Sequence, residues 1–427
     1  MSQSGRALTP AVLDHVDASL RDTDDLLRTA YPGDDGSRQP VHTVYVPADR
    51  MTPALGAQWG AAALYASADA GGLAVLAKRI GLPPSLADDV VPRAHAKLTR
   101  EPIEDLRLDF EDGYGGRGDD AEDADAVEAA RLVADALESG AAPPFVGIRF
   151  KSLEQPTRMR GLRTLDLFLG TILEQGGLPA TLMLTLPKVS TIAQVEAMVA
   201  VSDALERAHG LPERALRFEV QIETPQIVLG RDGRVPLAQL ATAGDGRVAS
   251  LHFGTYDYTG ALGIPARHQS LEHPAADLAK DLMQLAVAGT GIRLSDGSTN
   301  ILPVGDGALD AWVLHARLVR RALERGIFQG WDLHPHQLLT RYLATYAFFR
   351  EGYPDAAARL AGYLHSRAGA VLDEPATARA LAWFLQRGVQ CGAIDTEEVI
   401  ADVGIGIDTL TALAHPARPA PPAEESA

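Results

Sequence analysis

Eight short β-rich runs, each followed by an Ala/Leu-rich helical stretch, succeed one another from His42 onward. The strong runs are HTVYVPA from His42, DLRLDFEDG from Asp105, FVGIRFKS from Phe145, TLMLTLPKV from Thr181, RFEVQIETP from Arg217 and VASLHFGTYDYT from Val248. Weaker ones follow at GIRLSDGSTNILPVG from Gly291 and GIFQGWDLHP from Gly326. Strands joined by helices pair in parallel, and eight such units over roughly 300 residues predict an α/β (β/α)8 TIM barrel. A doubly wound sheet is the competitor, but no glycine-rich turn follows the first run.

The flanks divide the chain. Residues 1–40 are an N-terminal helical extension, with one amphipathic helix from about Thr9 to Tyr31 before the breaker PGDDGSRQP. Residues 41–337 form the catalytic barrel. Residues 338–414 read as a helical cap or oligomerisation region, and 415–427, rich in Pro, Ala and Glu, as a disordered tail. A net charge of −17 repels phosphate backbones and argues against nucleic acid as a partner. The lone Cys391 rules out an internal disulfide and a cysteine-based zinc cluster. No apolar run of about 18 residues is present, and the first residues lack the apolar core of a signal peptide, so a cytoplasmic protein without a membrane partner is expected.

Barrel strands alternate between the lumen and the surrounding helices. In the fifth run Phe218, Val220 and Ile222 take one face, and Arg217, Glu219, Gln221 and Glu223 the other. In the second, Leu106, Leu108 and Phe110 oppose Arg107, Asp109 and Glu111; in the third, Val146, Ile148 and Phe150 oppose Arg149 and Lys151. The helix side must be apolar, so the charges point inward, where they must pair or bind a metal. Glu111, Arg149, Glu223 and Asp257 stand at or near C-terminal strand ends, where this fold carries its active sites. Glu223 and Asp257 are hard carboxylates with no Cys or His pair beside them, a ligand set for Mg²⁺ or Mn²⁺.

The same segments carry a resemblance. YVPADRMTP, LDFEDGY, IRF, LPKV, QIETPQ, FGTYDYTGALGI and GWDLHPHQ resemble, in order, segments of the citrate lyase β-subunit and HpcH/HpaI-type aldolase family. That resemblance implies a Mg²⁺-dependent carbon–carbon lyase acting on a β-hydroxy acid or its CoA thioester through an enolate. Glyoxylate- or pyruvate-type products would result. It implies Glu223 and Asp257 as metal ligands, with Arg149 on the enolate or keto-acid oxygen. Glu111 and Asp112 would orient metal-bound water, and Gly254, Thr255 and Pro225 would join Arg149 in binding substrate, the backbone amides around Gly254 and Thr255 holding a carboxylate. It also implies a homo-oligomer, trimer or hexamer. The alternatives are a malate-synthase-like condensation of acetyl-CoA with glyoxylate, or a metal-binding protein without turnover. The chain departs from the family pattern at Tyr258, at Phe150-Lys151 and around GRDGRVP.

Other residues also carry candidate chemistry. Lys188 or Lys151 could form a Schiff base, and Lys151 could instead bind a carboxylate. His334 is a candidate proton donor or acceptor, with His336 and Asp332 at alternate positions, although such residues more often bond the strand end. His252 is read as structural because its parity sets it opposite Asp257, and His42 as a supporting residue. RGDDAEDADAVEAA is read as a capped, solvated helix start rather than a calcium loop, and Asp296 as a turn residue.

Overall fold

The structure, a computed structural model, describes residues 8–365 and 374–416. Eight parallel strands form one sheet: β1 (His42–Pro47), β2 (Asp105–Asp109), β3 (Phe145–Arg149), β4 (Leu182–Leu186), β5 (Phe218–Ile222), β6 (Val248–Phe253), β7 (Arg293–Ser295) and β8 (Gly330–Asp332). Their order is β7-β6-β5-β4-β3-β2-β1-β8, and a parallel bridge between Ser295 and Gln329 closes the ring. The chain is a (β/α)8 barrel.

The helices are α1 (Pro10–Ala30), α2 (Leu55–Asp69), α3 (Leu73–Arg79), α4 (Pro84–Arg100), α5 (Asp119–Glu138), α6 (Arg158–Gln175), α7 (Ile192–His209) and α8 (Pro225–Val228). They continue with α9 (Leu240–Ala243), α10 (Thr255–Ala261), α11 (Pro274–Val287), α12 (Ala308–Glu324), α13 (Gln337–Leu364), α14 (Pro375–Cys391), α15 (Thr396–Val403) and α16 (Ile407–Ala414). Local sequence sets their ends: Thr191 and Gln194 form a capping box at the start of α7, and Asp395 and Glu398 do so for α15. The boundary expected at 337/338 falls at the first residue of α13, which packs against α12, α4 and α14 and buries Leu338, Leu339, Tyr342 and Leu343. All but the first two residues of the 415–427 tail lie outside the described residues. Among the described residues no single helix is long and apolar enough to cross a membrane.

The apolar strand positions pack outward against the helices, and the polar ones fill the lumen. At its centre Arg107 donates to Asp105 at 2.6 Å and to Glu219 at 2.7 Å, while Thr185 donates to Glu219 at 2.6 Å. His252 joins this layer, 3.1 Å from Glu219 and within bonding distance of Ser250 and Trp331. The parity expected of His252 relative to Asp257 does not apply, because β6 ends at Phe253 and Asp257 sits on α10. His252 is a lumen residue, and burial drops its imidazole to about pKa 4, so it stays neutral.

A second buried knot fixes β8. Asp332 lies 2.8 Å from His42 Nδ1, 3.1 Å from His315 Nε2 and 3.0 Å from Arg341 Nη2. It is fully buried, so Asp332→Asn should leave Arg341 without a countercharge. The expected loss is about 3 kcal/mol of unfolding free energy, read from denaturant midpoints; an unchanged midpoint would remove the knot from the account of stability.

Candidate active site

The C-terminal mouth of the barrel encloses a cavity of about 460 Å³. Tyr45, Asp109, Arg149, Glu223, Asp257 and Trp331 are among its lining residues. Each arrives by a simple local rule. Asp109 and Arg149 end β2 and β3 with their side chains inward. Glu223 follows directly on β5, and Asp257 is carried back over the mouth by the first turn of α10.

Arg149 is held in a fork: Nε donates to Asp109 Oδ1 and Nη2 to Asp109 Oδ2, both at 2.7 Å. Its guanidinium lies 4.8 Å from the centre of the Tyr45 ring, a cation–π contact. Asp109 in turn accepts the N–H groups of Glu111 at 2.9 Å and Gly113 at 2.7 Å. This leaves Arg149 Nη1 directed towards Glu111, 3.7 Å from Oε2.

Glu223 is 2% exposed, and its Oε1 accepts the backbone N–H of Lys188 at 2.7 Å. Gly254 presses directly on it. A Cβ at Gly254 would fall 2.4 Å from Glu223 Cβ and 2.5 Å from its Oε2, so only glycine leaves the carboxylate in place. Burial, with Asp257 and Glu111 adding like charge, raises the Glu223 carboxyl to about 8 against the pull of Arg149. Burial also raises Asp257, whose side chain is 47% exposed and faces the Lys188 ammonium at 3.9 Å.

Lys188 ties the acidic loop together. Its Nζ pairs with Glu111 and, at 2.7 Å, with Asp112, while its backbone sits in the left-handed region at φ +51°. Lysine adopts that conformation rarely, and contacts at both ends of the residue hold it there. Although burial opposes it, pairing with Asp112 and Glu111 holds the ammonium pKa above the ordinary lysine value. A protonated amine is a poor nucleophile, which disfavours the Schiff-base role. Borohydride added in the presence of pyruvate is therefore expected to leave the intact mass unchanged; an adduct on Lys188 would reverse this assignment. Burial raises Glu111 to about 7, with Asp112 adding like charge, whereas bonding to Glu111 and Lys188 holds Asp112 below the usual carboxylate range.

Glu223, Asp257, Arg149 and Asp112 are thus brought together in the cavity lining, with Glu111 just behind it, against Arg149 and Lys188. Other expected residues are placed elsewhere. Lys151 lies beyond the end of β3, so strand alternation no longer governs it; its Nζ donates to Phe110 O and Glu122, clamping α5. Pro225 opens α8 and does not line the cavity. His334 sits in the turn after β8, its ring 4.4 Å from that of His336, and it too is outside the lining. The N–H of Gly254 donates to Ile222 O at 2.9 Å, continuing the sheet, so it is not free for a carboxylate. Thr255 does line the cavity, but its hydroxyl donates to Ser298 O at 3.2 Å. The inward placement of Asp109 follows from the sequence, but its pairing with Arg149, the place of Tyr45 at the mouth and the reach of Lys188 do not. Period-two alternation places Tyr45 and Asp109 inward, but nothing local foretells that Lys188 spans to β2.

Among the described residues no group of three or more His, Cys, Asp or Glu side chains is arranged to hold a metal ion. The pair Glu223 and Asp257 nevertheless fits a hard divalent cation. Both are oxygen donors, one is buried with its neutral form favoured by a like charge, and a cation needing few protein ligands takes its remainder from water and substrate.

Fold and mouth together define a (β/α)8 barrel with a carboxylate-and-arginine centre at its C-terminal end. The chain belongs to the family described as "Domain of unknown function (DUF6986)", whose model matches residues 20–418. No curated protein matches it. Its structure is similar to the Haloferax volcanii malate synthase magnesium/glyoxylate complex, at 16% identity and TM-score 0.48 over 89% of this chain and 98% of that one. It is also similar to Mycobacterium tuberculosis CitE in complex with magnesium, acetoacetate and coenzyme A, at 17% identity and TM-score 0.47 over 84% and 99%. An HpcH/HpaI aldolase/citrate lyase family protein from Burkholderia cenocepacia is similar at 16% identity and TM-score 0.38 over 73% and 94%.

Proposed function

We propose that the chain is a divalent-metal-dependent carbon–carbon lyase acting on a β-hydroxy acid or its CoA thioester. The observation that carries the reading is the buried Glu223 carboxyl sharing a cavity wall with Asp257, with the clamped Arg149 at the same mouth. Glu223 and Asp257 would hold Mg²⁺ or Mn²⁺, which would supply Lewis-acid polarisation of a substrate carbonyl.

The protein groups do the rest. The forked bond to Asp109 fixes Arg149, and its remaining arm meets a substrate carboxylate or the oxygen on which charge develops. Glu111, raised to about 7 and next to that arm, is suited to accept the hydroxyl proton of a β-hydroxy acid. As the C–C bond breaks, the hydroxyl carbon becomes the carbonyl of the first product, and the bonding pair passes to the second as an enolate. Return of the proton to the enolate carbon restores Glu111. Lys188 keeps the acidic loop in place and compensates its charge.

Proton NMR in D₂O tests this directly. With Mg²⁺, the protein is expected to exchange methyl protons of pyruvate or of acetyl-CoA, and EDTA is expected to stop it. Exchange into acetyl-CoA identifies the CoA thioester of a β-hydroxy acid as substrate, and exchange into pyruvate a 4-hydroxy-2-oxo acid, whose cleavage leaves the pyruvate enolate. Exchange in neither, with Mg²⁺ bound, would favour a metal-binding protein without turnover.

A further inference from the structure

The opposite, N-terminal mouth of the barrel has a cavity of its own, of about 320 Å³. The segment leading from α1 into β1 is strapped across it. Asp34 pairs with Arg387 at 2.5 Å, Arg293 donates to Ser37 O at 2.7 Å and Arg38 O at 2.8 Å, and Gln39 donates to Leu294 O at 3.0 Å. The strap turns an open barrel end into a walled pocket, a volume at the lower end of the small-ligand range.

Four arginines and three carboxylates line this cavity, in a chain whose net charge is −17. Three of the arginines are committed. Arg107 is taken by Asp105 and Glu219, Arg38 by Glu101 and Glu104, and Arg293 by the strap carbonyls and Asp35 at 3.2 Å. Arg217 is different. It precedes β5 on the inward-facing register of Glu219, yet its side chain makes no hydrogen bond or ion pair with any described residue. Partial burial lowers its pKa, with Asp35 acting against the shift and Arg293 adding to it, and neither neighbour comes within ion-pair distance. The side chain is exposed at the cavity, so its donors are open to a ligand without breaking an existing pair.

We propose that this mouth binds a small oxyanion, a carboxylate or a phosphate, on the free guanidinium of Arg217. The planar fork of donors suits either group, and the strap arginine Arg293 adds positive potential without having to release its own partners. The Ser250 and Gln329 side chains supply a polar wall. The site is separate from the carboxylate centre at the other end and does not depend on the lyase reading.

Calorimetric titration of the full chain tests it, with sodium phosphate in one arm and sodium succinate in the other, ionic strength being held constant with chloride. Saturable binding of at least one anion below about 10 mM is expected, and the responding arm identifies phosphate or carboxylate as the ligand chemistry. Arg217→Gln should weaken that binding at least ~10-fold, since a neutral amide replaces the fork. In chloride buffer the same variant should melt close to the native temperature, because no hydrogen bond or ion pair is lost and the pull of Asp35 and push of Arg293 on the guanidinium oppose each other. No saturable heat from either anion, or equal affinity in the variant, would overturn the proposal. A lowered melting temperature would do so too, since it would make Arg217 a structural cation.

Discussion

Glu223→Gln is expected to abolish metal-dependent enolisation and to remove a pH-dependent weakness from the metal-free protein. The folded Glu223 carboxyl is raised from 4.5 to about 8, chiefly by burial. The folded state therefore holds this proton more tightly than the unfolded chain. The associated stability is fully present below about pH 4.5 and is lost as pH rises through about 8. Over that window the native chain should lose on the order of 2–5 kcal/mol in EDTA from this one group. Glutamine keeps the volume beneath Gly254 and can still accept the Lys188 N–H, so the variant should lose less across the same pH range. A divalent cation should act in the same direction on the native protein, displacing the proton and restoring the melting temperature most at high pH. Thermal melts from pH 5 to 9, with EDTA and with Mg²⁺, measure all of this. Parallel curves for native and variant protein would sink the assignment of the raised carboxyl. For exchange or cleavage the expected loss is about 10³-fold or more, because removing a metal ligand removes the electrophile; Mg²⁺-dependent turnover that survives would place the cation elsewhere.

The residues that could be read from the sequence were those governed by strand alternation. Arg107, Asp109, Arg149 and Glu219 alternate with apolar neighbours at period two inside buried strands, and Glu223 continues that alternation one residue past β5, so hydrophobic patterning sends them inward. The eight strands were legible for the same reason, even though β7 and β8 contain only three residues each. Alternation stops where a strand stops, and that is where expectations diverged. Lys151 lies two residues past the end of β3 and turns outward to Glu122. His252 stays inside β6 and faces the lumen, whereas Asp257 is returned to the mouth by a helix whose phase no strand rule anticipates. The Gly254 amide illustrates a different limit, since its sheet bond to Ile222 depends on where β5 and β6 align. Long-range pairings such as Lys188 with Glu111, or Asp332 with His42, Arg341 and His315, depend on the closed ring and leave no local pattern.

Arg149→Lys is the second substitution with a large expected effect, and geometry decides it. The guanidinium serves two partners at once: two of its nitrogens are committed to Asp109 at 2.7 Å, and the third remains for a ligand. A lysine ammonium is a single point charge on a flexible stem. If it stays with Asp109, the substrate oxygen loses its donor; if it reaches the substrate, Asp109 loses its partner. Either way the fixed geometry at the developing charge disappears, and the expected loss in rate is about 10²–10³-fold. The fold should survive, because Asp109 still accepts the N–H groups of Glu111 and Gly113. A stability cost of about 1–2 kcal/mol covers the lost fork. Measured by the deuterium-exchange assay at several substrate concentrations, the loss should fall mainly in the maximal rate if Arg149 meets charge that develops during reaction, and mainly in the half-saturating concentration if it meets a carboxylate already present in the substrate. Unchanged kinetics would remove Arg149 from the chemistry and leave it, with Asp109, as an ion pair that closes the top of the barrel.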